Sequence, residues 1–261
     1  MARAENGPVS IRYERDGSGP AVLFVGDVGL GAWQFGWQHA AVAGPYAAIT
    51  PEIRGIGRSD APSGPYRVDD LVADLEAVLA AEGRRRVHLV GYGFGGMLAL
   101  AYALSSSRPR SLTLFGTPPA GDAYNPDSLW ADPNDPAAVE ASVNALLSSD
   151  FRESHPDVAS RIVDWRVRED AARGPFEAQK AALSAFDVGD RLHELTTPTL
   201  VIHGGEDAIC PAHYGRSLAE GLPRGEFRAV EDAGHLVGVE ASATVNDELV
   251  GWLAEHADRD R

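Results

Sequence analysis

Four glycines within six residues, Gly91, Gly93, Gly95 and Gly96, separate an apolar run from a helical pattern. No other stretch limits the fold as sharply. Before them, Val87, Leu89 and Val90 have the composition of a strand buried on both faces. After them, Met97, Leu98, Leu100, Ala101 and Leu104 recur at helical spacing. Residues 86–104 therefore read as strand, very tight turn and helix. Glycine permits so abrupt a reversal because it has no Cβ to clash, and it leaves helix N–H groups pointing at whatever sits above the turn.

The same alternation extends in both directions. Val9–Glu14 reads as an edge strand or hairpin arm before the turn cluster Asp16–Pro20. Ala21–Val25 is a compact buried strand that empties into the glycine-rich loop Gly26–Gly31. Tyr46–Ile49, Ser111–Phe115, Thr199–His203 and Glu226–Val230 are further strands. Val68–Ala81 is a helix with Leu71, Leu75, Val78 and Leu79 on one face, and Asp69 and Asp70 suit the dipole of its first turn. Helices are also expected near 212–221 and 242–256. Between 120 and 189 the buried-strand runs vanish, and helical patterns appear near 136–149, 157–170 and 175–186. Strands alternating with helices imply a mostly parallel, doubly wound sheet. The charged tail Asp258–Arg261 is expected to fray.

Charge and composition narrow the partners. A net charge of −15 repels nucleic acid and anionic membranes, so neither is expected. No apolar run approaches ~20 residues, and MARAENGPVS has no signal-peptide core. The single cysteine, Cys210, excludes an intramolecular disulfide and fits a cytoplasmic protein. One lysine beside many acids and arginines fits either a salt-adapted surface or an ordinary acidic protein with arginine-biased usage.

In sheets of this kind, ligands bind beyond the C-terminal ends of the strands. That rule gathers the 26–31 loop, the glycine turn, Gly204–Pro211 and Ala233–His235 at one edge. The segment Gly91-Tyr92-Gly93-Phe94-Gly95 resembles the G-x-S-x-G nucleophile elbow of the α/β-hydrolase family, and Arg54–Asp60 resembles its R-G-x-G-x-S turn. The order Gly93, Asp207, His235 follows the family order of nucleophile, acid and histidine. The resemblance, to the enol-lactonase and esterase-like branch, covers nearly the whole chain. It implies an α/β-hydrolase core over 1–119 and 190–261, with a helical cap insertion over 120–189. It also implies His235 as base, Asp207 as its orienting acid, and backbone N–H groups of Phe94 and Asp27 as oxyanion donors. Gly26, Trp33 and Tyr92 are the candidate substrate contacts.

Two departures qualify the expected chemistry. Gly93 stands where the serine belongs, and Gly26-Asp27 stands where a histidine-glycine pair is usual. In serine hydrolysis, removing the nucleophile costs roughly a million-fold in turnover, so no ordinary acyl-enzyme is assigned. Cys210, Ser59 and Thr117 are alternative nucleophiles, each better read as packing or turn residues. His203 and His88 read as packed strand residues, and the other histidines lack metal-ligand spacing. The expected function is hydrolysis of a small apolar ester or lactone by a His235–Asp207 dyad, with no cofactor or metal. The alternatives are a cofactor-free lyase or oxygenase using His235 as base, and a catalytically silent ligand-binding protein.

Overall fold

The structure, a computed structural model, describes residues 2–257. The tail at 258–261 lies outside the described residues. Eight strands form one sheet: β1 (Ala2–Asn6), β2 (Val9–Asp16), β3 (Ala21–Val25), β4 (Ala47–Pro51), β5 (Val87–Tyr92), β6 (Pro109–Phe115), β7 (Thr199–Gly204) and β8 (Gly225–Val230). Their spatial order is β1-β2-β4-β3-β5-β6-β7-β8. β2 pairs antiparallel with β1 and β4, and all other pairs are parallel. The central strands β3, β5 and β7 are buried at every residue, as their continuous apolar runs require.

Ten α-helices accompany the sheet among the described residues: α1 (Gly36–Val42), α2 (Val68–Ala81), α3 (Phe94–Ser105), α4 (Pro136–Leu146), α5 (Ser149–Ser154), α6 (Pro156–Glu169), α7 (Arg173–Ser184), α8 (Ala212–Gly221), α9 (Val237–Glu240) and α10 (Ser242–Glu255). α2 buries Leu71, Leu75, Val78 and Leu79, the face its periodicity marks. The single helix expected over 136–149 is two. The chain leaves α4 at Leu147, and Ser148 caps α5 by accepting the Phe151 N–H. β1 escaped the sequence reading because only Ala4 is buried in it, so it carries no apolar alternation.

The glycine turn holds the sheet's centre to α3. Gly93 has φ +47°, outside the region open to ordinary L-residues, and it ends β5. A Cβ on Gly95 would lie 1.9 Å from the Val25 carbonyl oxygen, so α3 can pack this close to β3 only without one. The turn thereby sets the end of β3, and the loop that follows it, directly beside the start of α3. No described helix is long and apolar enough to cross a membrane.

Candidate active site

Three loops deliver side chains to the space above Gly93. Asp27 comes from the loop after β3, Asp207 from the loop after β7, and His235 from the segment after β8. His235 is fully buried, and its Nδ1 lies 2.8 Å from Asp207 Oδ2. Asp207 is fixed in turn, because its Oδ1 accepts the N–H groups of Ile209 at 2.8 Å and Cys210 at 2.9 Å. His203 adds a further support. Its Nε2 donates to the Cys210 carbonyl at 2.7 Å and lies 3.3 Å from Asp207 Oδ2. His203 is therefore part of the acid's setting as well as a packed strand residue.

Asp27 turns inward. Its Oδ1 accepts the Phe94 N–H at 2.8 Å and the Val28 N–H at 2.7 Å. Its Oδ2 lies 3.0 Å from His235 Nε2 and accepts the Tyr124 hydroxyl. Tyr124 Oη is also 3.1 Å from His235 Nε2. The result is one buried hydrogen-bonded chain, Tyr124–Asp27–His235–Asp207. A Cβ built on Gly93 would meet Tyr124 Oη at 2.2 Å and both Asp27 oxygens at 2.5 Å. The carboxylate occupies the space into which a serine at position 93 would project.

This geometry corrects the role expected of Asp27. Its own N–H donates to Gln34 Oε1 at 3.1 Å and is not free for a substrate oxygen. The Phe94 N–H does point into the site, but there it meets the Asp27 carboxylate. The loop carrying Asp27 is clamped from the helical segment between β6 and β7. Gln179 accepts the Gly29 N–H at 2.8 Å, and Asp170 accepts the Gly31 N–H at 2.9 Å. Asp170 is held by the buried Arg166, whose Nε lies 2.7 Å from its Oδ2.

Tyr92 lies against the His235 ring, with centroids 5.7 Å apart, and its hydroxyl accepts the Gly238 N–H. Gly26 sits at the base of the Asp27 loop, where a Cβ would come 3.0 Å from Gln34 Nε2. Trp33 belongs to another neighbourhood. Its indole N–H donates to Asp170, and it stacks on Trp165 beside a separate cavity of about 620 Å³. Cys210 is buried, and burial with the nearby Asp207 pushes its thiol well up, so it stays protonated. The Ser59 hydroxyl accepts the Arg12 N–H and donates to the Glu52 carbonyl. Thr117 donates to the Phe115 carbonyl at 3.0 Å. Tyr124 gave no signal in the sequence, since it lies in an irregular stretch without a motif.

Electrostatics follow from the two carboxylates. Burial alone would push the His235 imidazole down, but Asp207 and Asp27 more than offset it and hold the pKa at about 10. Burial would raise Asp207, and His235 with His203 outweighs it and keeps it well below the usual carboxylate range. A carboxylate oxygen beside each ring nitrogen, at 2.8 and 3.0 Å, thus favours the charged, doubly protonated form of His235. A group whose pKa rises on folding contributes its full stability below the unfolded value of about 6.5 and loses it as pH climbs through the folded value. Asp207 contributes above about 3.8 and loses its share as pH falls. Thermal midpoints should therefore decline from about pH 6.5 toward 10, and His235→Gln should flatten that decline.

A sequence profile described as the alpha/beta hydrolase fold matches residues 38–242. A protein of Variovorax paradoxus (strain S110), provisionally named carbamate hydrolase RutD, is 32% identical over 257 residues, covering 94% of this chain and 96% of the relative. Among solved structures, the enol-lactonase from Burkholderia xenovorans LB400 superposes with a TM-score of 0.87 at 22% identity, over 97% of this chain and 100% of that one. An N-acyl homoserine lactone degrading enzyme gives a TM-score of 0.84 at 26% identity, over 96% of this chain and 99% of that one.

Proposed function

The chain belongs to the α/β-hydrolase family, and we propose that it hydrolyses a small, apolar ester- or lactone-type substrate by acid–base chemistry through Asp27, His235 and Asp207, with no covalent nucleophile. One observation carries this reading: the Asp27 carboxylate fills the space beside Gly93 and touches His235 Nε2 at 3.0 Å. The relative named as a carbamate hydrolase and the lactone-degrading structural neighbour support cleavage of an acyl bond. The burial of every group in the site supports a small substrate admitted by local opening.

In the proposed cycle, Asp27 Oδ2 accepts a proton from water as that water adds to the substrate carbonyl. His235, a proton donor at neutral pH, gives its Nε2 proton to the departing alkoxide. Asp27 then returns its proton to His235 along the bond they already share, so acid and alcohol leave and both groups are reset. Burial and Asp27 raise the Tyr124 hydroxyl well above its ordinary value, so it remains a neutral donor able to support the developing oxyanion. His235, expected as the base, acts here as the acid, and Asp27, expected to supply an oxyanion N–H, acts as the base through its carboxylate, because the two carboxylates keep the imidazole charged.

A second reading is favoured by the same burial: the Phe94 and Val28 N–H groups are already occupied, as a silent ligand-binding protein would tolerate. A panel of short-chain esters and lactones separates the two. The hydrolytic reading expects activity that persists below pH 6.5 and falls toward pH 10, following the His235 proton, and that drops with His235→Gln. Activity appearing only above an acid limb near pH 6.5 would restore His235 as base. An inert panel, with an apolar ligand raising the thermal midpoint, would support the silent reading.

A further inference from the structure

The edge of the sheet opposite the candidate active site carries a cleft of about 660 Å³. It is lined by Arg86, Arg110, Arg224 and His256, with Ser107 and Thr196 between them. The topology explains the gathering. Arg86 immediately precedes β5, Arg110 is the second residue of β6, Thr196 lies just before β7 and Arg224 immediately precedes β8, and these four strands are parallel neighbours. Their N-terminal ends therefore bring three guanidinium groups to one place. In a chain of net charge −15, such a concentration runs against the average surface.

Two of these charges, on Arg86 and Arg224, are not cancelled locally. Among the described residues, Arg86 and Arg224 make no ion pair, unlike Arg12, Arg54 and Arg166, which are each matched to a carboxylate. Among the described residues Glu194 is the one carboxylate lining the cleft, and Arg191 already holds it through contacts of 3.0 and 2.9 Å. His256 commits Nδ1 to the Trp252 carbonyl at 2.9 Å, which leaves Nε2 for another partner. Guanidinium groups bind oxyanions through paired N–H donors, and the hydroxyls of Ser107 and Thr196 add neutral donors at the rim.

We propose that this cleft is a binding site for a multivalent oxyanion of the phosphate type, separate from the Asp27–His235 site. The carbonyl ends of α3 and α10 also face this region, and a favourable interaction of arginines with those dipoles is the competing account. That account predicts no preference for phosphate over a monovalent salt. The test titrates the full chain with inorganic phosphate, glucose 6-phosphate and, at matched ionic strength, potassium chloride. The readouts are calorimetry and 31P NMR line broadening of the phosphate signal. The expected result is saturable phosphate binding that chloride does not reproduce, weakened at least ~10-fold in the double variant Arg86→Gln, Arg224→Gln. Tighter binding of glucose 6-phosphate would identify a phosphorylated metabolite as the source of the group, and equal binding would identify free phosphate. Phosphate effects equal to those of chloride, or unchanged in the double variant with its thermal midpoint preserved, would overturn the proposal.

Discussion

Asp27→Asn should lower kcat by at least ~100-fold while leaving KM within a few-fold, because the variant removes a base and keeps a shape. The amide oxygen can still accept the Phe94 and Val28 N–H groups that Oδ1 now accepts. The amide nitrogen would face Tyr124 Oη and His235 Nε2, both of which can serve as acceptors once His235 is neutral. Losing one of its two carboxylate partners should also lower the His235 pKa from about 10, so the alkaline fall in activity should move to lower pH. Steady-state kinetics across pH on the best substrate of the ester and lactone panel measure both effects. Asp27→Ala would be less informative, since it strands the Phe94 and Val28 N–H groups, the Tyr124 hydroxyl and an imidazolium in a buried site, at several kcal/mol.

The second large effect is that Gly93→Ser should damage the protein and confer no serine chemistry. The new Cβ would fall 2.2 Å from Tyr124 Oη and 2.5 Å from the Asp27 oxygens, at a residue with φ +47°. Backbone strain and collision together should cost about 3 kcal/mol, a fall in thermal midpoint on the order of 10 °C. Combining Gly93→Ser with Asp27→Gly removes the collision with the carboxylate, releases the Tyr124 hydroxyl from its Asp27 partner so that it can shift aside, and frees the Phe94 and Val28 N–H groups. The double variant should be more stable than the sum of the single changes by more than ~1 kcal/mol. It should also be the variant that a serine-reactive fluorophosphonate labels, since a hydroxyl, the imidazole and two free N–H donors then share one space. Labelling of the single Gly93→Ser variant would show that Asp27 does not fill that space.

The fold was legible because its signals are local. The strand–glycine–helix unit at 86–104, the buried run Ala21–Val25 and the apolar face of α2 each follow from a few neighbouring residues. The gathering of Gly93, Asp207 and His235 at one sheet edge was legible too, since each follows a recognisable strand. The direction of the Asp27 side chain was not. It depends on Phe94, Tyr124 and His235, which lie 67, 97 and 208 residues away in sequence. Tyr124 had no periodicity or motif to mark it. Trp33 lies away from His235, which the sequence could not show because an aromatic after a glycine loop looks alike whether it walls the site or, as here, lines a separate cavity while bonded to Asp170. β1 was invisible because an edge strand with one buried residue has no pattern to read.

The protonation state of His235 tests the central claim most directly, because the charged imidazole exists only if Asp27 and Asp207 grip it from both sides. NMR titration of the imidazole, assigned by its loss in His235→Gln, needs no substrate. The arrangement predicts two protonated ring nitrogens throughout the neutral range and a titration near pH 10, lowered by Asp27→Asn. Titration of His235 near pH 6.5, unmoved by Asp27→Asn, would contradict it.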